Sequence, residues 1–414
     1  MENTIDYLKD IEMYFTDYDM EVETQRFIEE MDRGLKKETS SLKMIDTYID
    51  LSNTITKNKT VMVMDAGGTN LRVANVIFDD NLNPIITNLK STSMPGANNE
   101  ITKDYFFEEL AKFSELTAKG VNDIGFCFSY PALVTSEKDA ILLNWTKGIK
   151  ANGVVNEKVG SLLAEELNKN KNKIDNVVVL NDTVATLLGG KGVYANYKYD
   201  SYIGFIYGTG VNTCYIEDNR IYNLESGGYS LLKRGQIDIL YDEMTNNKGR
   251  QYFEKMSSGK YLGDIIYLTI LNAYHKSLIS EEYYLKLKEL KEVELATFSM
   301  FLENSYNKEN QISKIIIDNN DRIVTLEIID ALIERAAKIC AMKISAIILK
   351  TGKGKNIDKP FAIVCEGSTF FKLTGYKNKF DYYLKNFLTN KHQRYYRLLN
   401  GDNLNIIGSA IAVL

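Results

Sequence analysis

The sequence predicts an α/β protein built of two related domains, and three observations carry that prediction. The first is length: 414 residues exceed what one small core organises. The second is a pattern that occurs twice. Val61–Asp80 (VMVMDAGGTNLRVANVIFDD) and Ser201–Glu217 (SYIGFIYGTGVNTCYIE) each run from an apolar strand through a turn of glycine and threonine into a second apolar strand. The third is the succession of short Val- and Ile-rich strands and amphipathic helices around them. Two glycine-threonine hairpins of one design predict two domains facing each other across a single phosphate chain. Two unrelated tight turns are the alternative.

Residues 4–33 place Ile5, Leu8, Ile11 and Phe15, then Val22, Phe27 and Met31, at helical spacing, which predicts a helix or helix pair ending at Gly34. A polar, irregular stretch (SSLKMIDTYIDLSNTITKNK) leads into the first hairpin. There Val61–Met64 and Leu71–Phe78 read as strands, with Asp65-Ala66-Gly67-Gly68-Thr69-Asn70 between them. Paired glycines permit φ > 0 and leave no Cβ between the backbone N–H groups and an anion. Such a turn can cradle a phosphate through those N–H groups and the Thr69 hydroxyl. Asp65 can hold Mg²⁺ through water, because Mg²⁺ sheds its water reluctantly. An ordinary Gly-Gly hairpin fits the same residues.

Farther along, a helix is predicted over 102–119 with Thr102 as its N-cap. The strand Asp123–Phe128 runs into Ser129-Tyr130-Pro131-Ala132, at the carboxyl edge where open α/β sheets bind ligands; a Pro-terminated strand end fits equally. Thr146 and Lys147 follow Trp145, the sole tryptophan, and either donate to a polyhydroxy ligand or form a solvated turn. A helix over Val154–Lys169 and a strand over Asn176–Leu180 lead to Asn181-Asp182-Thr183 and a helix over Val184–Leu188. Asp182 sits where a helix N-cap belongs. The second hairpin supplies Gly208, Thr209, Gly210 and Asn212, and the polar loop after it holds one carboxylate, Glu225. Gln251 and Glu254 are three apart, on one face if helical. Leu326–Lys350 reads as a long amphipathic helix closed by Gly352, Lys359–Cys365 as a strand entering Glu366-Gly367-Ser368, and Asn405–Leu414 as a final apolar helix.

Composition narrows the function. A net charge of −5 gives no basic footprint for nucleic acid or an acidic membrane. Cys127, Cys214, Cys340 and Cys365 are dispersed in apolar contexts and read as buried thiols of a reducing compartment. With only His275 and His392, a His-based dyad or zinc site is not expected. The opening residues, MENTIDYLKDIEMYF, are charged throughout and predict neither leader nor membrane span. The expectation is a cytoplasmic protein with no nucleic-acid or membrane partner.

In order along the chain, these stretches resemble the hexokinase/glucokinase family, part of the actin-like ATPase superfamily that includes sugar kinases and heat-shock-type ATPases. MDRGLKKETSSLKMIDTY resembles the family's N-terminal segment and DAGGTNLRV its first phosphate motif. FSYPA, NWTKG and LNDTVATL resemble its sugar-binding loops, and GTGVNTCY its second phosphate motif. GRQYFEKMSSGKYLGD and EGS resemble its later sugar contact and its adenosine loop. The resemblance implies the two-lobed actin-like (ribonuclease H-like) fold, each lobe a mixed sheet flanked by helices, with a cleft between. The small domain would be 59–181 plus 401–414, and the large domain 1–58 plus 182–400.

It also implies transfer of a phosphoryl group from ATP, with Mg²⁺, to the 6-hydroxyl of a hexose, glucose first, giving hexose 6-phosphate and ADP at the entry to glycolysis. A kinase of another hexose, such as mannose or fructose, and a non-catalytic hexose sensor are the alternatives. By position, Ser129, Tyr130, Pro131, Thr146, Lys147, Asn181, Asp182, Asn212, Glu225, Gln251 and Glu254 would meet the sugar. Asp182 would be the general base and Lys147 the cation for the transferred group. Asp65, Gly67, Gly68, Thr69, Asn70 and Arg72 would lie along the phosphates from the first hairpin, Asp65 holding Mg²⁺ through water. Gly208, Thr209 and Gly210 would hold them from the second, with Gly367 and Ser368 flanking the adenosine. Ser226 stands where the family has an aromatic residue, so that wall of the sugar site is expected to be more open; Glu366 stands where Asp is usual. A monomer or homodimer is expected.

Overall fold

A computed structural model of the chain describes residues 3–51, 55–68 and 70–414. Its first sheet contains Val61–Gly67, Asn70–Phe78, Pro84–Ser93, Asp123–Phe128 and Asn176–Leu180. The first three form an antiparallel meander, and the last two continue in parallel from the other side of Val61–Gly67. That leading strand is flanked on both edges and buried from Val61 to Ala66, as the apolar run Val61–Met64 at its start requires. The second sheet contains Ser201–Tyr207, Val211–Glu217, Arg220–Asn223, Phe361–Glu366 and Tyr396–Leu399. It repeats the first pairing for pairing: three antiparallel strands, then two parallel ones beyond the leading strand. The short strand Ile45–Asp46 extends its edge.

A helix follows the last strand of each sheet, and each helix packs on the opposite sheet. Asp182–Val193 lies against the second sheet and Leu404–Val413 against the first. The two helices cross between the sheets with their backbones touching. A Cβ on Gly408 would overlap the Ala185 carbonyl, and one on Gly189 would overlap that of Leu404. Glycine is required there by close approach rather than by an unusual φ.

The second sheet is backed by helix Asn319–Thr351, capped by the Asp318 side chain at one end and by Gly352 at φ +65° at the other. Helices Thr4–Asp10 and Met20–Leu35 pack on it, and Gly34 lies within the second of these rather than ending it, because Leu42 and Met44 press against that position. The helix expected from Val154 begins only at Val159. Its first N–H groups are taken by a remote carboxylate: Asp139 accepts from Gly160 at 2.7 Å and from Ser161 at 2.9 Å. The four cysteines are buried and free, as expected. Among the described residues, no helix is long and apolar enough to cross a membrane.

Candidate active site

The first hairpin closes between Gly67 and Asn70, with Gly68 at φ +68° in the turn. Thr69 lies outside the described residues. Asp65 and Arg72 face each other across the two strands, and Arg72 donates to Asp65 Oδ2 through Nε at 2.9 Å and through Nη2. Asp65 Oδ1 is buried without a hydrogen-bond partner, on the side toward Gly67, where a Cβ would be 3.5 Å from it. A buried carboxylate oxygen left open at a phosphate-type turn fits the hydration shell of Mg²⁺.

The strand Asp123–Phe128 runs parallel beside Val61–Gly67, which carries the Ser129 loop to the hairpin. Ser129 N–H donates to the Ala66 carbonyl at 3.1 Å. The Tyr130 hydroxyl donates to the Gly68 carbonyl at 2.5 Å. Tyr130 rests on Phe128 and on Trp145, each at a centroid distance of 4.9 Å, and Trp145 is anchored through Nε1–H to the Ala151 carbonyl at 2.8 Å. Pro131 ties the same loop to the next, its carbonyl accepting from Leu143 N–H at 2.9 Å. Thr146 is half-buried, and its carbonyl accepts from Ile149. Lys147, at φ +57°, donates from Nζ to the Ser129 carbonyl at 3.0 Å, and its stem lies over Gly68. The two loops and the first hairpin are therefore one contiguous surface.

Asp182 opens helix Asp182–Val193, but the cap belongs to Asn181, whose Oδ1 accepts from Thr183 N–H at 3.0 Å. Two adjacent capping residues compete here. Asn181 takes the extended backbone of a cap, and Asp182 becomes the first helical residue. Its Oδ1 also accepts from Thr183 N–H, at 2.8 Å, and the residue stays half-buried. Burial pushes up the Cys127 thiol, and the charges of Asp65 and Asp182 push it further. In the sheet Cys127 pairs with Asp65 on one side and with Leu180, two residues before Asp182, on the other, so both carboxylates stand at the same end of the sheet.

The second hairpin turns tightly, Gly208 N–H donating to the Gly210 carbonyl at 3.0 Å. Gly367, at φ +112°, sits so close to Tyr207 that a Cβ would overlap the Tyr207 carbonyl, which brings Ser368 alongside the turn. Thr209 is exposed, with its carbonyl accepting from Lys260 N–H. Glu254 Oε2 accepts from Val211 N–H at 3.1 Å. Asn212 Nδ2 donates to Asn223 Oδ1 at 2.9 Å, and Asn223 Nδ2 donates to Glu225 Oε1 at 2.7 Å. Glu225 and Gln251 both have left-handed backbones, at φ +53° and +56°. Gln251 therefore precedes helix Tyr252–Ser257 rather than sharing a helical face with Glu254. The two still converge, because the turn at Gly227 packs on both: a Cβ there would be 2.7 Å from Gln251 Oε1 and 3.3 Å from Glu254 Oε2.

Burial raises the carboxyl pKa of Glu225, the Asn223 hydrogen bond pulls it back, and the Asp182 charge adds to the rise. Burial likewise raises that of Glu254, which Val211 N–H opposes and Glu225 reinforces.

Two family models, both described as hexokinase, match residues 8–191 and 202–414. The chain belongs to the hexokinase family. It is 29% identical over 403 residues to Hexokinase-2 of Homo sapiens, covering 88% of this chain and 43% of that protein. It is 29% identical over 394 residues to a hexokinase of Kluyveromyces lactis, covering 86% of this chain and 79% of that one. The chain thus spans only about two fifths of the mammalian relatives it matches, 41% for Hexokinase-2 of Equus caballus. Among solved structures it resembles the hexokinase from Schistosoma mansoni complexed with glucose, with a TM-score of 0.79 at 24% identity, covering 99% of this chain and 97% of that one. A second hexokinase crystal structure gives 0.76 at 23% identity, covering 94% of each chain. These likenesses show the two-lobed sugar-kinase fold.

Within this hexokinase frame the structure adds residues that sequence reasoning missed. Asn223 lies two positions before Glu225 and joins it to Asn212; strand alternation was the signal for it. Thr186 Oγ1 donates to Glu366 Oε2 at 2.7 Å, and Asn405 completes the cluster with its amide nitrogen turned to Glu366 and to the Asp182 carbonyl. A lone Asn in an apolar terminal helix was the available hint.

Proposed function

We propose that this hexokinase-family chain transfers the γ-phosphoryl group of ATP to the 6-hydroxyl of a hexose, with glucose as the first substrate. The observation that carries the reading is the placement of Asp182: it lies two residues beyond Leu180, which pairs with Cys127, the cross-strand neighbour of Asp65, and one before Thr183, whose carbonyl accepts from Cys214 Sγ of the second sheet at 3.1 Å. One carboxylate thereby stands in reach of the sugar-facing network and of the first phosphate hairpin. The S. mansoni hexokinase of the same fold was solved with glucose, which supports the choice of sugar.

In this reading Glu225, Glu254, Asn212, Asn181, Ser129 and Thr146 exchange hydrogen bonds with the sugar hydroxyls, with Gln251, Tyr130 and Pro131 shaping the pocket. A sugar lacking one hydroxyl leaves a buried polar group unpaired. Asp182 accepts the 6-hydroxyl proton as that oxygen attacks phosphorus and the bond to ADP breaks. Lys147 moves its ammonium from the Ser129 carbonyl to the transferred group. The hairpin glycines Gly67, Gly68, Gly208 and Gly210, with Thr69, Asn70, Thr209 and Arg72, line the phosphates, while Gly367 and Ser368 flank the adenosine. Asp65 would hold Mg²⁺ through water, and the ion when bound supplies charge neutralisation to the phosphates.

The lobes are 59–181 plus 401–414 and 1–58 plus 182–400, a division supported by the seat of Leu404–Val413 on the first sheet. Sugar closes them and expels water that would otherwise hydrolyse ATP. Four free buried thiols support a cytoplasmic setting.

The test is a coupled assay with ATP, Mg²⁺ and, separately, glucose, mannose and fructose. Glucose-dependent ADP formation with the highest kcat/KM is expected. A higher value for mannose or fructose reassigns the sugar. Saturable glucose binding without turnover makes the chain a sensor, and neither binding nor turnover overturns the reading.

A further inference from the structure

Lys343 is a wholly buried cation with no part in the mechanism above. It projects from helix Asn319–Thr351, and its Nζ lies 4.8 Å from the ring centroid of Phe205 and 4.9 Å from that of Phe253. It donates a hydrogen bond to Ser226 Oγ at 3.2 Å. Aromatic faces attract an ammonium, but two rings and one hydroxyl are a sparse shell for a desolvated charge that carries three donors.

The position is informative. Ser226 directly follows Glu225, and its N–H donates to Asn212 Oδ1 at 3.2 Å. Phe253 directly precedes Glu254. The charged groups acting on Glu254 are Glu225, Lys260 and Lys147; those acting on Glu225 are Lys43 and Asp182; those acting on Lys343 are Cys340 and Glu254. Lys43, Lys147 and Lys260 are exposed, so Lys343 is the wholly buried cation of this set. Ser226 is itself fully buried, so its hydroxyl and the ammonium are enclosed together. Ser226 and Lys343 are then one feature, a buried polar pair behind the Glu225 turn.

We propose that Lys343 is a positioning residue for the sugar site: through Ser226 it fixes the 225–227 turn, and its buried charge counters Glu254. The proposal rests on the hexose-kinase reading. Burial lowers the Lys343 pKa to about 8, with Cys340 and Glu254 opposing the fall. The ammonium is therefore charged below about pH 8 and loses its charge as pH rises through that value. Hexose affinity should weaken over the same range.

The experiment is steady-state kinetics with glucose varied at saturating ATP, from neutral to alkaline pH, on the wild type, Lys343→Met, Ser226→Ala and the double variant. In Lys343→Met the glucose KM should rise roughly tenfold at neutral pH, with little change in kcat or in the ATP KM. The wild-type KM should climb above about pH 8, and the variant's should not. Ser226→Ala should raise KM less, and the double variant should be no worse than Lys343→Met, because the two groups act as a unit. An unchanged KM and pH profile in Lys343→Met, with wild-type turnover intact, overturns the positioning role alone. If Lys343→Met does not fold, a flat wild-type profile together with an unaltered Ser226→Ala overturns it. A wild type without glucose turnover overturns the hexose-kinase reading and this inference with it.

Discussion

The two hairpins have the same pairing and a different division of labour. At the first, charge lies within the hairpin itself: Asp65 and Arg72 are cross-strand partners, and Tyr130 from the neighbouring loop clamps the Gly68 carbonyl. At the second, the turn Gly208–Gly210 carries no ionisable side chain, and the carboxylate beside it, Glu254, arrives from a distant segment to accept from Val211 N–H. The reason lies in the connections. Between its third and fourth strands the first sheet needs only residues 94–122, whereas the second spans 224–360. That long excursion supplies Glu225, Gln251, Glu254 and Lys343. A duplicated scaffold thus places a glycine turn on both sides, while the side chains proposed to act are split between strand ends in one lobe and an insertion in the other.

The sharpest way to break this comparison is at the residue proposed to join the two halves. Asp182→Ala should lower kcat by about 10²- to 10⁴-fold while glucose still binds. Titration of Trp145 emission with glucose checks the binding, since Trp145 stacks on Tyr130 in the sugar loop. Loss of binding along with turnover would make Asp182 a sugar ligand of the insertion's kind rather than the base.

Next in size is Glu225→Gln. Its carboxyl pKa is raised, first by burial, so the folded state holds that proton more tightly than the unfolded chain. Stability therefore falls as pH climbs from the ordinary carboxylate range to the raised value, and the cost is fully present above it. The variant should remove that slope and melt no lower than the wild type at neutral pH. Its glucose kcat/KM should nevertheless drop roughly tenfold or more. A lower melting temperature would mean that Glu225 stabilises the insertion rather than serving the sugar.

How much of this was legible beforehand depended on how local the cause was. Both hairpins, the strand Asp123–Phe128 and the Gly352 cap follow from period, glycine and apolar runs close in sequence. The start of helix Val159–Lys169 did not, because its cap, Asp139, lies on a different segment. Left-handed backbones at Glu225 and Gln251 are likewise unreadable from their residue types. They are imposed where Gly227 lets one turn press on the other, an arrangement only the fold enforces. Before the family resemblance, Glu225 was the one carboxylate of a polar loop and Glu254 one of a pair at helical spacing. For Lys343 the local sign was its place in an otherwise apolar helical stripe, which faces the core.

On the first lobe, Arg72→Met should raise the ATP KM by roughly tenfold, since Asp65 would then be left with both oxygens unpaired. The glucose KM should stay near its wild-type value. Equal effects on both substrates would show that the hairpin's charge pair holds the lobe together rather than serving the phosphates.

The smallest effect tests whether the clamp on the first hairpin matters beyond packing. Tyr130→Phe keeps the ring against Phe128 and Trp145 and deletes only the hydroxyl that donates to the Gly68 carbonyl. A neutral hydrogen bond contributes about 0.5–1.5 kcal/mol net, so the ATP KM should rise by a few-fold. The direction is the informative part. Tyr130 belongs to the loop proposed to meet the sugar but touches the turn proposed to hold the phosphates, so its loss should move the ATP KM more than the glucose KM. If the glucose KM moves more, the hydroxyl serves the sugar, and the first lobe divides its own loops as the second divides its turn from its insertion.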